Sequence, residues 1–237
     1  MTRTPGGRTE SLLSIPEPVA ASPQLLRASG LLWMLAALWY LLCEAIAAVG
    51  FPGYSYATNY ISDLGVPGTG TLEGRVLDSR LSEVMNAGFL GEGLLVALAG
   101  VLLYAALPPR RGRSLFLALV LAHAVGISFV GLVPGSPANL DNGLMTLHVL
   151  GAFAAIGAGN LAAIAAGSFA LRDVLPRRIG LTGILLGVLG FFSAFLLTAH
   201  LVFPDGVTER GAVYTVIAWH VVLGVTLLRR SRPVTGD

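Results

Sequence analysis

Six apolar stretches, each long enough to cross a bilayer, leave this chain of 237 residues few folds to choose from. Hydrocarbon offers no water to a free amide, so a spanning segment must satisfy its own backbone, as a helix does. Such a helix needs about 20 mostly apolar residues to cross about 30 Å. The stretches run from about 25 or 31 to 49, 82 to 107, 114 to 133, 144 to 171, 179 to 203 and 211 to 228. Hydrophobic residues make up 54% of the chain and charged ones only 12%, about half the charged share of a soluble domain. A water-surrounded core of this size could not hide so much apolar surface. The expected fold class is all-α, a polytopic membrane bundle of six transmembrane helices.

The arginines orient it. All 15 basic residues are Arg, and none is Lys. Twelve of them flank alternate ends of the spans: Arg3, Arg8, Arg27, Arg110, Arg111, Arg113, Arg172, Arg177, Arg178, Arg229, Arg230 and Arg232. Arg75, Arg80 and Arg210 fall on the other side. The positive-inside rule then predicts both termini in the cytoplasm. Residues 1–23 carry Pro5, Pro16, Pro18 and Pro23 and read as a flexible cytoplasmic tail without the apolar core of a signal peptide. Residues 24–229 form the six-helix domain, with an outer loop at 51–81, and 230–237 a short cytoplasmic tail. The single cysteine, Cys43, excludes a disulfide framework and a cysteine-rich zinc site. The lack of lysine excludes a Schiff-base cofactor. No charge run points to nucleic acid.

Each outward-going span ends in a similar breaker: Phe51-Pro52-Gly53, Val133-Pro134-Gly135 and Phe203-Pro204-Asp205-Gly206. Gly180, Gly183, Gly187 and Gly190 recur at helical spacing on the fifth span. In lipid this favours close backbone packing, within the bundle or in a homo-oligomer.

Burying an ionisable group in the bilayer costs several kcal/mol, so each one asks for a reason. His148, His200 and His220 are expected near the outer ends of the last three spans, where Ser62 and Asp63 of the outer loop can fold over them. Two readings stay open. The histidines bond to neighbouring helices, or they hold zinc while Asp63 acts as general base and Ser62 polarises a substrate, giving a lipid amidase or esterase. Glu92 and His123, at mid-span on adjacent antiparallel helices, can pair structurally or carry a proton path. A bis-histidine haem, through His123 with His220 or His148 with His200, is a further alternative. Glu44 and Asn160 read as interhelical hydrogen bonders.

Asn59-Tyr60-Ile61-Ser62-Asp63-Leu64-Gly65 after the first span, Asn86-Ala87-Gly88 opening the second and Gly131-Leu132-Val133-Pro134 closing the third resemble one bacterial family. It is the six-span membrane family numbered 998 among domains of unknown function, and the similarity covers about residues 30–228, with His148 and Glu209-Arg210 also fitting. The Ile-Ser-Asp-x-Gly element is similar to one in the eukaryotic Frag1/DRAM/Sfk1 six-span proteins, which are associated with lipid remodelling and membrane organisation. The resemblance implies a multi-pass protein of a bacterial cytoplasmic membrane and assigns no reaction. The leading expectation is that an extracytoplasmic polar pocket engages membrane lipid, with Asn59, Ser62, Asp63, Asn86, His148, Glu209 and Arg210 as recognition residues.

Overall fold

A computed structural model of the chain describes residues 22–172 and 174–231. The tails expected at 1–23 and 230–237 lie almost wholly outside the described residues, as do Arg3, Arg8 and Arg232. The helices are α1 (Pro23–Val49), α2 (Ser82–Ala106), α3 (Arg113–Leu132), the short α4 (Pro137–Asp141), α5 (Met145–Ala165), α6 (Arg177–Ala199) and α7 (Asp205–Arg230). α5 runs on through a π-helical turn, Ala166–Ala170. All but α4 are long and apolar enough to cross a membrane. The 20 residues of α3 alone span about 30 Å at the helical rise per residue.

Neighbours in the chain pack in sequence, α1 on α2, α2 on α3, α3 on α5, α5 on α6 and α6 on α7. α7 then returns to α1 and closes the ring. Much of the outer face is bulky and aliphatic, while Trp33 and Tyr40 of α1 turn inward. On α1, Leu31, Leu35, Leu38 and Leu42 are exposed, while Ala36, Ala37, Cys43 and Ala47 are buried. This is the arrangement lipid favours, since lipid tails solvate leucine as well as a protein core does and helices are held by close contact of small residues.

Those contacts are visible at three seams. A methyl on Gly30 of α1 would stand 2.9 Å from the carbonyl oxygen of Gly224 on α7, and one on Gly224 would stand 2.8 Å from that of Gly30. Gly126 of α3 and Gly151 of α5 meet in the same reciprocal way, and Gly167 meets Gly180 where α5 hands over to α6. The only residues α6 buries are Gly180, Gly183, Gly187 and Gly190, the stripe singled out by spacing. Asn160 fills the space they leave, donating to the carbonyls of Ile156 (2.9 Å) and Ala212 (3.0 Å) and accepting from Thr215 (3.1 Å).

The two ends of the bundle differ. The connection 107–112, the described residues of 171–176 and the C-terminus of α7 form an arginine end. The long segment 50–81, α4 and the turn at 200–204 form a loop end. Within the loop segment Ser62–Gly65 makes a 3-10 turn, and β1 (Gly68–Leu72) pairs antiparallel with β2 (Arg75–Ser79). The hairpin turns at Glu73 and Gly74, both with positive φ (49° and 79°), as a two-residue primed turn requires. This hairpin was not part of the all-helical expectation. Its signal is the β-branched run Thr69, Thr71 and Val76 around Glu73-Gly74.

A second difference matters more for the site. The last helix begins at Asp205, not near Gly211. Pro204-Asp205 opens the helix, a proline just ahead of an acidic first turn, instead of only breaking the one before. Glu209 and Arg210 therefore sit on the helix, and His220 lies about four turns inside it.

Candidate functional site

Two buried polar clusters lie in the bundle. The first is at the loop end, around Arg210. Its Nη1 donates to the carbonyl oxygens of Tyr56 (2.7 Å), Asn59 (2.9 Å) and Gly206 (3.1 Å). Nη2 donates to Glu44 Oε1 of α1 at 3.0 Å and to the Tyr54 hydroxyl. The second Glu44 oxygen accepts from Tyr214 at 2.9 Å, and the Tyr56 ring lies 4.7 Å from the guanidinium. Only Nε of this arginine lacks a partner. A charge pair between α1 and α7 thus also ties down the backbone of the loop that crosses them.

The rest of the loop is fastened in the same style. Asp63 accepts from the Tyr60 amide at 3.0 Å, from Asn59 Nδ2 at 3.3 Å and from Arg75 Nε at 3.3 Å. Asn86 of α2 donates to the Gly65 carbonyl at 2.9 Å, and Ser79 to that of Leu64 at 2.5 Å. Glu209 accepts the Ile61 amide at 2.5 Å, and the Tyr60 hydroxyl donates to Asp205 at 2.8 Å. Burial, then the bond to Asp205, pushes the Tyr60 phenol well above the ordinary tyrosine range. Burial likewise raises that of Tyr54, with Arg210 opposing it. Partial burial works against the charge on Arg75, and Asp63, Glu73 and Tyr60 around it together outweigh that cost.

The second cluster lies at mid-depth. Glu92 of α2, His123 of α3 and His220 of α7 are 1%, 6% and 2% exposed. Glu92 Oε1 is 3.0 Å from His123 Nε2 and 3.4 Å from His220 Nδ1. His123 Nδ1 donates to the Ala155 carbonyl at 2.8 Å. The Trp33 ring packs on His220 with centroids 4.8 Å apart, and His123 meets it edge-on at 5.6 Å. This cluster is shorter of hydrogen-bond partners than the arginine one, where both carboxylate oxygens are bonded: here Glu92 Oε2 and His220 Nδ1 are buried and have none. Such orphans are rare in a finished core and ask for an explanation.

A cavity of ≈ 50 Å³ joins the two levels. Its upper wall carries Ile61, Ser62, His148 and Glu209, its middle Tyr40, Phe89, Ile127 and Val213, and its foot Glu92, His123 and Val216. Its size suits a few waters or one hydrated ion. Beyond the foot, toward the arginine end, Trp33, Trp219, Leu103, Leu223 and Leu227 pack into the apolar core.

Of the groups expected to meet, the structure joins some and separates others. Glu92 and His123 do pair. His148, His200 and His220, the expected zinc set, do not converge. His148 donates from Nδ1 to the Val133 carbonyl at 2.7 Å, beside the cavity mouth. His200 caps α6 in a left-handed conformation (φ 49°) and pairs with Asp205 at 3.0 Å, its side chain 68% exposed. His220 is three turns or more below either, because α7 starts early. Asp63 and Asn59 bind loop backbone and each other and form no hydrogen bond to a histidine, and Ser62 alone of the proposed catalytic pair lines the cavity. Among the described residues, the group of His, Cys, Asp and Glu with ligand atoms in mutual metal-binding reach is Glu92, His123 and His220, all within 4.8 Å of one another. The cavity also leaves no room for a porphyrin between His123 and His220. Sequence reasoning missed the tyrosines 54, 56 and 214 as partners of the Glu44–Arg210 pair; the aromatic run Tyr54-Ser55-Tyr56 was their one visible sign.

Six bilayer-length apolar helices closed into a ring around buried polar clusters define a multi-pass helical membrane protein. Its family follows from the sequence match: the chain belongs to the family described as "Protein of unknown function (DUF998)", which matches residues 34–226. No curated protein and no solved structure matches the chain.

Proposed function

We propose that the protein admits small hydrophilic species, water and cations, from its loop end to a ligand site at mid-membrane formed by Glu92, His123 and His220. The observation that carries this reading is the cavity from Ser62, His148 and Glu209 to that cluster. An ionisable group held at such depth costs several kcal/mol unless it is used or paired, and here the pairing is incomplete. The apolar packing on the arginine side makes the site a blind well in this conformation, so the reading is of a binding or carrier site and not an open pore. The reading takes the termini as cytoplasmic and the loop end as outside, across a bacterial cytoplasmic membrane, and the arginine bias supports that orientation.

The test uses Val216→Cys in a Cys43→Ala background. Silver ion added outside intact spheroplasts should bind this thiol at the foot of the well and protect it from alkylation after solubilisation. Leu38→Cys, on the lipid side of α1, should gain no protection. Unprotected Val216→Cys, or protection only when silver is applied from the cytoplasmic side, would defeat the reading.

A specific observation also favours membrane lipid as a partner. Between α6 and α7 lies an apolar groove of ≈ 470 Å³, lined by Leu189, Phe192, Leu196 and Phe203, with Thr208, Arg210 and Tyr214 at its loop end. In a bilayer such a groove fills with an acyl chain, and the polar end suits a headgroup. Photoactivatable phospholipid should crosslink Phe192 and Phe203; crosslinks confined to the arginine end would count against it.

A further inference from the structure

The mid-depth cluster is only partly satisfied by its own hydrogen bonds. His123 gives its Nδ1 proton to the Ala155 carbonyl, so in the neutral ring Nε2 bears a lone pair. That lone pair faces a carboxylate oxygen, Glu92 Oε1, at 3.0 Å. His220 Nδ1 faces the same oxygen at 3.4 Å and makes no hydrogen bond. Two imidazole nitrogens and a carboxylate thus hold ligand atoms within 4.8 Å of one another. A proton on His123 Nε2 satisfies its contact with Glu92 but leaves Glu92 Oε2 and His220 Nδ1 without partners, whereas one cation among the three side chains engages all of them.

We propose that Glu92, His123 and His220 are the protein ligands of a divalent transition-metal ion, with its fourth position open to the cavity. This rests on the reading above of the cluster as a ligand site and names what the site takes. Metal–nitrogen and metal–oxygen bonds of about 2.0–2.2 Å in a tetrahedral site put ligand atoms about 3.3 Å apart; the two separations from Glu92 bracket that value. The backbone carbonyl behind His123 is the outer partner that fixes the tautomer and orientation of a metal-bound imidazole. Three ligands from three helices, with a water-sized space on one side, match a catalytic or transport centre more closely than a closed structural one. Two imidazoles with one carboxylate select zinc or ferrous iron over magnesium or calcium, which prefer all-oxygen sites. One carboxylate offsets one of the ion's two charges. A hydroxide reaching the fourth position from the cavity would offset the other, which lowers the electrostatic cost of the site in lipid.

The experiment uses the full-length protein in detergent, stripped with chelator and titrated with Co²⁺ as a spectroscopic probe and Zn²⁺ as a competitor. The expected result is one Co²⁺ per chain with the intense visible bands of a four-coordinate nitrogen–oxygen site, displaced by Zn²⁺. Glu92→Gln and His220→Ala should weaken binding at least tenfold, and His200→Ala should leave it unchanged. Saturation of the wild-type protein without those bands, no binding at all, or equal binding by Glu92→Gln overturns the proposal. The wild-type titration decides even where a variant fails to fold. If Co²⁺ does not bind while silver still protects Val216→Cys, the metal proposal falls and the water-accessible well stands. If Co²⁺ binds while Val216→Cys stays unprotected, the access route falls and the metal site stands.

Discussion

The Glu44–Arg210 cluster and the Glu92–His123–His220 cluster are both buried, both built from residues far apart in sequence, and both centred on a carboxylate. They differ in how completely they are satisfied. Around Glu44 each carboxylate oxygen has a donor, and Arg210 spends its two terminal nitrogens on five acceptors. Around Glu92 one oxygen has no donor, and the nearest histidine nitrogens compete for the other. A saturated network gives rigidity, and the loop it anchors is folded tightly over the end of the bundle. An unsaturated one inside a well costs stability, and its retention is what a working site looks like. The depth of burial is the same in both, so burial alone would not have told them apart.

The largest effect expected is at the saturated cluster. Arg210→Met strands the Glu44 carboxylate and frees two loop carbonyls and one in the first turn of α7, and should cost about 3–5 kcal/mol of stability. Thermal unfolding in detergent would read this as a large fall in Tm with the loop newly open to protease. A mild effect would mean that this cluster is as incomplete as the other. Tyr214→Phe removes one donor to the same charged acceptor and should cost about 1.5–3 kcal/mol, read by the same unfolding assay. Tyr60→Phe, losing a half-buried bond to Asp205 at the loop's edge, should cost about 0.5–1.5 kcal/mol. Alkaline pH gives the smallest effect. Because the folded state raises the phenols of Tyr54 and Tyr60, their contribution is full below the unfolded tyrosine value of about 10. It is lost as pH rises beyond that value. Melts between neutral and alkaline pH should show a decline that Tyr60→Phe blunts.

Much of this was legible in the sequence, and for a reason. Span length, arginine placement and the glycine stripe of α6 are properties of single segments, and lipid imposes them one helix at a time. Pairing of Glu92 with His123 was legible as well, since adjacent antiparallel helices bring mid-span positions to one depth. His220 was set beside His123 only in the haem alternative and otherwise near the outer end, because its true place needs the ring to close α7 against α1 and needs α7 to begin at Asp205. The apolar pattern fades before Gly211, while Pro204-Asp205 reads equally well as a helix stop or a helix start. Asp63 and Asn59 looked like ligand or catalytic groups by type. Their actual partners are backbone amides, each other and Arg75, local contacts that composition does not reveal. The β1–β2 hairpin was hidden because the loop's polarity masks its alternation.

Glu44 and Glu92 allow one matched measurement. The same isosteric neutralisation, Glu44→Gln and Glu92→Gln, is made in chelator-treated protein and the two are unfolded side by side in one detergent. Unequal responses are predicted: a marked loss of stability for Glu44→Gln, and little or none for Glu92→Gln, whose amide can donate to His220 Nδ1, a nitrogen without a partner. Equal losses in the two variants, or a greater loss at Glu92, would contradict the division of the bundle into a structural clasp and a ligand site.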